Sequence, residues 1–320
     1  MPSKEEVLWA YRMLLDREPE SEAVLNHYAT NVPSRSALRA LFMQSAEFRN
    51  TVQGMTAVRQ PLVRSGSPME VELDAPADRL AALFARVSAQ WHYLGETEPH
   101  WSVITNQSYL QTGIADSAEA FYESGRTELA AFEQALARVG LAGQGFEVCV
   151  ELGCGVGRVT SALAQRCAQV WGVDISAHHL KLAADYAREQ GLNNVRWHQV
   201  RQVDDVVPVA GFDLLYSRIV LQHNPPPVMQ RMLGLLLHAL NPGGVAYFQV
   251  PTYKAGYRFE LSAYLEGDNT TSMEMHYLPQ PALFALLAQH GCVLLELRED
   301  DAAGLSPNAV SNTVLVRKRA

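Results

Sequence analysis

Val148-Cys149-Val150-Glu151-Leu152-Gly153-Cys154-Gly155-Val156-Gly157-Arg158-Val159-Thr160 is the stretch whose reading decides the fold. An apolar run of strand character ends in an acid, and three glycines at alternate positions follow before a helix that begins near Arg158. Glycine is needed there because a side chain would block close approach of a ligand to the turning backbone. The next apolar run, Val170-Trp171-Gly172-Val173-Asp174, ends in a second acid 21 positions after Gly153. That distance suits a carboxylate accepting hydrogen bonds from ribose hydroxyls.

Outward from this turn, short apolar runs alternate with helical stretches. Strands are expected at 147–152, 169–173, 195–200, 212–216 and 244–250. Such alternation specifies a parallel, doubly wound sheet. After a helix over 280–290 ended by Gly291, the runs 292–297 and 312–317 have no helix between them and read as an antiparallel hairpin. On the N-terminal side, Leu80, Leu83, Phe84, Val87, Trp91 and Leu94 fall on one helix face, and Leu129, Phe132, Leu136 and Val139 on another. The first 50 residues carry separate apolar stripes, Val7, Tyr11, Leu14 and Leu15, then Leu38, Leu41, Phe42 and Phe48, with Pro- and Gly-punctuated chain over 60–78. The organisation expected is a helical bundle over 1–60, a linker and helical cap over 61–120, and an α/β domain over 121–320 with an insertion at 252–278.

Two ligand classes compete for the glycine turn. The dinucleotide fingerprint needs glycine where this chain has Arg158. Glu151, at the end of the first strand, would repel a pyrophosphate but receives the ammonium of a methionine moiety. A zwitterionic, sulfonium-bearing ligand is therefore favoured over a nicotinamide dinucleotide. With Gly172-Val173-Asp174-Ile175-Ser176, Gly211-Phe212-Asp213-Leu214-Leu215-Tyr216-Ser217 and Leu240-Asn241-Pro242-Gly243-Gly244, the turn resembles the successive motifs of class I S-adenosylmethionine (SAM)-dependent methyltransferases. The resemblance covers 120–320 and implies a Rossmann-like sheet ordered 3-2-1-4-5-7-6 with strand seven antiparallel. It implies SAM as cofactor, with contacts from Glu151, Gly153, Cys154, Gly155, Gly157 and Ser217. It further implies that Asp174 holds the ribose diol and Ile175 packs on the adenine. Gln202 and Val203 stand where the family commonly has an acid near the adenine amino group. Tyr122, in Phe121-Tyr122-Glu123-Ser124-Gly125, either reaches the carboxylate of SAM or only packs.

Methyl transfer requires in-line approach of a nucleophile, largely a matter of positioning, and a hydroxyl acceptor also needs a base. The loop Ser217-Arg218-Ile219-Val220-Leu221-Gln222-His223-Asn224 lies at the carboxyl edge of the sheet, where such sites form. His223 is its one histidine, with an unperturbed pKa suited to a base; the alternative is that it orders the loop. Asn224-Pro225-Pro226-Pro227 mimics the Asn-Pro-Pro-aromatic motif of amino-methyltransferases, but it sits too far from the strand end and lacks the aromatic. Its prolines suit a helix start instead. The insertion, with Tyr253, Tyr257, Phe259, Tyr264, Tyr277, Lys254 and Arg258, is either an aromatic lid and sugar site or a surface excursion. His276 within it is the second base candidate. No metal site is evident, and Asp213 at the start of its strand suits a structural role.

The formal net charge of -8 gives no attraction to nucleic-acid phosphates, so a DNA or RNA substrate is disfavoured. Four cysteines without metal-ligand spacing, no signal-peptide pattern and no apolar run long enough for a membrane span lead to the expectation of a cytoplasmic protein. Tyr11-Arg12-Met13-Leu14-Leu15-Asp16-Arg17-Glu18-Pro19-Glu20 and Phe42-Met43-Gln44-Ser45-Ala46-Glu47-Phe48 resemble a bacterial helical domain of unknown function that recurs beside glycan-building enzymes. Glu98 to Thr105 and Leu221 to Pro226 look like methyltransferases of bacterial polysaccharide assembly. These resemblances imply O-methylation of a sugar hydroxyl. The alternatives are N-methylation of a small molecule or amino sugar, and a non-catalytic SAM-binding scaffold. The N-terminal stripes point to self-association or docking of a protein partner.

Overall fold

The computed structural model describes residues 1–15, 17–45, 47–48, 67–267 and 273–320. The chain divides into two compact units, Met1–Ser65 and Gly66–Ala320. The first holds α1 (Lys4–Leu15), α2 (Glu22–Asn31) and α3 (Arg35–Met43). Val7, Tyr11 and Leu15 of α1 pack with Val32, Leu38 and Phe42, so two of the expected stripes close on each other. Ser34 starts α3 by accepting from the Ala37 N–H at 3.1 Å, which satisfies one of the unpaired donors of a helix start. Residues 49–60 of the expected bundle and 61–66 of the expected linker lie outside the described residues.

The second unit is a seven-stranded sheet with helices on both faces. In chain order it contains β1 (Glu70–Val71), α4 (Ala77–Thr97), α5 (Ile114–Arg138), β2 (Phe146–Leu152), α6 (Thr160–Leu163), β3 (Cys167–Asp174), α7 (Ala177–Glu189), β4 (Val195–Gln199), β5 (Phe212–Ser217), α8 (Pro226–Ala239), β6 (Leu240–Lys254), β7 (Arg258–Phe259), α9 (Leu261–Glu266), α10 (Gln280–Gln289), β8 (Cys292–Asp300) and β9 (Ala309–Lys318). The sheet order is β4-β3-β2-β5-β6-β9-β8, parallel except for β9, which runs antiparallel to both neighbours. This is the order the methyltransferase resemblance implies, and the switch between β2 and β5 opens a crevice at the carboxyl ends of the strands.

Side chains alternate across the pleat of β2. Val150 and Leu152 join the larger core with Leu83 and Phe84 of α4 and Met229, Met232 and Leu233 of α8. Cys149 faces the other core, with Phe132 and Leu136 of α5, Tyr216 and Tyr247. The same alternation puts Glu151 on the α5 side, in register with Tyr216 on β5. Proline opens α8, as expected, because its missing N–H would be unpaired in a first turn anyway.

Three expectations change. The helix after the glycine turn starts at Thr160 rather than near Arg158 and is only four residues long. The segment read as linker contributes β1, which pairs in parallel with β7 (Glu70 with Arg258, Val71 with Phe259). Composition had hidden this strand, since a two-residue pairing leaves no period to detect. The insertion begins later than 252, because β6 continues through Lys254, held by β9 across a bulge between Pro251 and Tyr253. Residues 268–272 of the insertion lie outside the described residues.

Candidate functional site

A cleft at the carboxyl edge encloses about 890 Å³ of empty space, its solvent-open mouth included. Its floor is the glycine turn between β2 and α6. Gly153 and Gly155 adopt left-handed φ values of 73° and 53°. A Cβ on Gly153 would lie 2.2 Å from Val220 Cγ2, and one on Gly155 2.6 Å from Val103 Cγ2. Any side chain here would displace the two valines that wall the cleft.

Two carboxyls flank the turn. Glu151 is 4% exposed, and its Oε2 accepts from the Thr160 hydroxyl at 2.5 Å. Burial pushes its pKa up to about 8, against the pull of Thr160 and Arg158, so the acid is mostly protonated near neutral pH. Asp174 is the contrasting case. Burial pushes it up too, but His179 3.8 Å away and the N–H groups of Ser176 and Gly155 outweigh that and hold it below the usual carboxylate range. Its Oδ1 accepts from Ser176 N and its Oδ2 from Gly155 N, both at 2.8 Å. Each oxygen retains a lone pair for a further donor.

The loop after β5 forms the opposite wall. Ile219 takes a φ of 57°, unusual for a β-branched residue, and its N–H donates to buried Gln249 Oε1 at 3.0 Å. Asn224 is 3% exposed, and its Nδ2 donates to Val220 O at 3.1 Å. Among the described residues, Asn224 Oδ1 then faces no donor, and the Tyr216 hydroxyl is likewise buried without a partner. Arg218 lines the same wall, with Glu128 of α5 3.2 Å away.

Of the residues expected to hold the cofactor, Glu151, Gly153, Cys154, Gly155, Asp174 and Ile175 line this cleft. Gly157, Gln202, Val203, Ser217 and Tyr122 do not. Tyr122 stacks face to face on Tyr186 at 3.4 Å between ring centres, and its hydroxyl lies 3.4 Å from Val156 O. Helix α5 turns it away from the cleft toward α7. Gln202 is exposed and donates to Asp205 at 2.9 Å, Val203 is buried in the core, and Ser217 donates to Leu152 O at 3.2 Å. Val200 takes the place on the wall that Gln202 and Val203 were expected to fill.

Trp91, Ser102, Val103 and His179, which sequence reasoning missed, line the cleft, as do Arg218 and Asn224 of the loop it placed at the site. Trp91 and Val103 carried a signal only as apolar positions on a helix and in an irregular stretch. His179 is buried behind the Asp174 carboxylate and lies 3.0 Å from the Ser102 hydroxyl.

Neither candidate base lines the cleft. His223 lies behind Trp91, ring centres 5.2 Å apart, with Nδ1 3.0 Å from Glu274 O. A carbonyl only accepts, so Nδ1 carries the proton and Nε2 is the free lone pair. Burial pushes the His223 pKa down to about 4. His276 is 6% exposed and spans Tyr257 (2.8 Å) and Glu274 (3.0 Å). The insertion's aromatics pack on this histidine and on one another, with Tyr257 and Tyr277 4.9 Å apart and Phe259 and Tyr264 5.2 Å apart. They close on the larger core, Phe259 within it and Tyr257 and Tyr264 against it; no residue of 252–278 lines the cleft among the described residues, so the aromatic sugar platform expected there is absent from it.

Residues 149–244 match a family described as a methyltransferase domain. Over 105 residues, 32% of this chain and 37% of the relative, the sequence is 44% identical to a trans-aconitate 2-methyltransferase of Deinococcus radiodurans. Over 100 residues, 31% of this chain and 40% of the relative, it is 34% identical to a ubiquinone biosynthesis O-methyltransferase of Idiomarina loihiensis. The match thus spans less than half the length of either relative. Among solved structures, magnesium protoporphyrin IX methyltransferase from Synechocystis PCC 6803 with bound SAH superposes with a TM-score of 0.50 at 17% identity, covering 73% of this chain and 99% of that one. That likeness shows a shared fold.

Proposed function

We propose that the chain is a SAM-dependent methyltransferase that methylates an oxygen of a hydroxyl-bearing acceptor. The observation that carries this reading is the cleft that joins a protonated Glu151 and an ionised Asp174 across the Gly153–Gly155 turn. The lining fits SAM on its own chemistry. Buried polar atoms of Tyr216, Asn224 and Arg158 lack hydrogen-bond partners among the described residues, and a polar ligand relieves the cost of leaving them unpaired. When bound, SAM supplies a methyl group activated by its sulfonium.

The chain's own residues bind, orient and exclude water. Glu151 ionises to receive an ammonium, Asp174 accepts from ribose hydroxyls, and Ile175 and Val200 give an apolar bed for a base. Asn224 Oδ1 accepts from the hydroxyl to be methylated. Trp91 supplies an aromatic face to the acceptor. His223 stands behind Trp91 and off the cleft wall, so it orders the loop after β5 and the hydroxyl proton leaves to water.

A sugar hydroxyl in bacterial glycan assembly is the acceptor we favour, supported by the resemblances of the first 48 residues and of Glu98 to Thr105. A carboxylate acceptor is the second reading; Arg218 on the cleft wall favours it. The test is transfer of labelled methyl from SAM to nucleotide-sugars, glycan fragments, phenols, amines and trans-aconitate, with Asp174→Ala as control. Label on a hydroxyl, lost in the control, is expected. Label confined to carboxylates or amines would overturn the hydroxyl assignment, and absence of SAM binding would overturn the enzyme class.

A further inference from the structure

We propose that Arg158 is the anion-binding residue of the cleft, taking the carboxylate of the ligand's amino acid while Glu151 takes its ammonium. This rests on the cofactor reading above and adds the residue that recognises the zwitterion. Arg158 directly follows the glycine turn, lines the cleft and is 7% exposed. Its backbone is pinned by α5, since a Cβ on Gly125 would lie 2.1 Å from Arg158 O. Its Nη1 donates to Ser124 Oγ at 3.1 Å, which sets the plane of the guanidinium.

What remains is a buried cation without an anion. Arg158 Nε has no hydrogen-bond partner, and Arg158 forms no ion pair among the described residues. The cleft's other arginine differs, having Glu128 3.2 Å away. Glu151 does not neutralise Arg158 near neutral pH, because burial keeps that carboxyl protonated. Burying an unpaired guanidinium is costly, and structures retain one where a ligand completes it. The planar guanidinium edge matches a carboxylate. A doubly charged phosphate suits the site less well, because Glu151 stands beside it and repels it once ionised. Together Glu151 and Arg158 present a dipole complementary to an α-amino acid zwitterion.

The test needs no acceptor. Calorimetric titration compares S-adenosylhomocysteine, its decarboxylated amine and 5′-methylthioadenosine, which lacks the amino acid. The unaltered protein is expected to bind S-adenosylhomocysteine about 10- to 100-fold more tightly than the decarboxylated amine, the range for a charged hydrogen-bonded pair. Arg158→Met should erase that ratio and leave 5′-methylthioadenosine affinity unchanged. Equal affinity of the unaltered protein for the first two compounds would overturn the proposal even if Arg158→Met fails to fold. So would an Arg158→Met protein that keeps the ratio. If the unaltered protein binds none of the three, the cofactor reading itself fails.

Discussion

Glu151 makes ligand binding a proton-release reaction. With its pKa pushed up to about 8, the carboxyl is about nine-tenths protonated at pH 7, and an ammonium beside it favours the ionised form. Binding of S-adenosylhomocysteine at pH 7 should therefore release about 0.9 proton, and affinity should rise about tenfold from pH 6 to pH 7. Above pH 8 the gain fades as the ligand's own amine loses its proton. The assay is calorimetry at pH 7 in buffers of different ionisation enthalpy, where the slope of apparent enthalpy gives the protons released. Glu151→Gln, a mimic of the protonated acid, should release none and show a flat affinity over this range. Stability moves the other way. The folded ligand-free protein holds a proton that the unfolded chain releases near the ordinary glutamate value. This contribution is complete below that value and is lost as pH rises through about 8. Saturating ligand should remove that loss. Zero slope in the calorimetric series together with pH-independent affinity would refute the reasoning.

With an identified hydroxyl acceptor, His223→Gln should leave turnover and S-adenosylhomocysteine affinity within about tenfold, because the ring lies off the cleft behind Trp91; a loss of about 10²- to 10⁴-fold in turnover alone would show that it acts as a base after all. In the N-terminal unit Trp9 and Met13, one turn apart on α1, are 52% and 76% exposed. If these helices self-associate, the doubly substituted Trp9→Glu, Met13→Glu protein should have a lower mass by light scattering than the unaltered chain, and equal masses would exclude self-association through this face.

Much of the architecture was legible because it rests on periods. Strands β2, β3 and β5 alternate or run apolar for as long as they are buried, and α4 and α5 repeat their apolar residues on one face. The glycine turn and the acid ending β3 were legible for a different reason: backbone conformation and close approach restrict which residues can stand there. Tyr122 shows where such reading stops. Its position on α5 relative to the turn was known, but the helix's rotation about its axis was not, and that rotation puts Tyr122 on Tyr186 and Ser124 on Arg158. The insertion shows another limit. A cluster of aromatics has the same composition whether it lines a cleft or packs on its own histidine.

The sequence by itself determined the parallel strands, the hairpin of β8 and β9, the cofactor turn and the two carboxyls beside it, because each is set by local period or local backbone geometry; that β9 runs against the sheet was implied by the methyltransferase resemblance. Only the tertiary structure decided that Trp91, Val103, His179, Arg218 and Asn224 meet around that turn, that burial raises the pKa of Glu151 while neighbours hold that of Asp174 low, and that Arg158 has no ion pair among the described residues. Those properties depend on burial and on neighbours distant in the chain, which residue spacing does not encode.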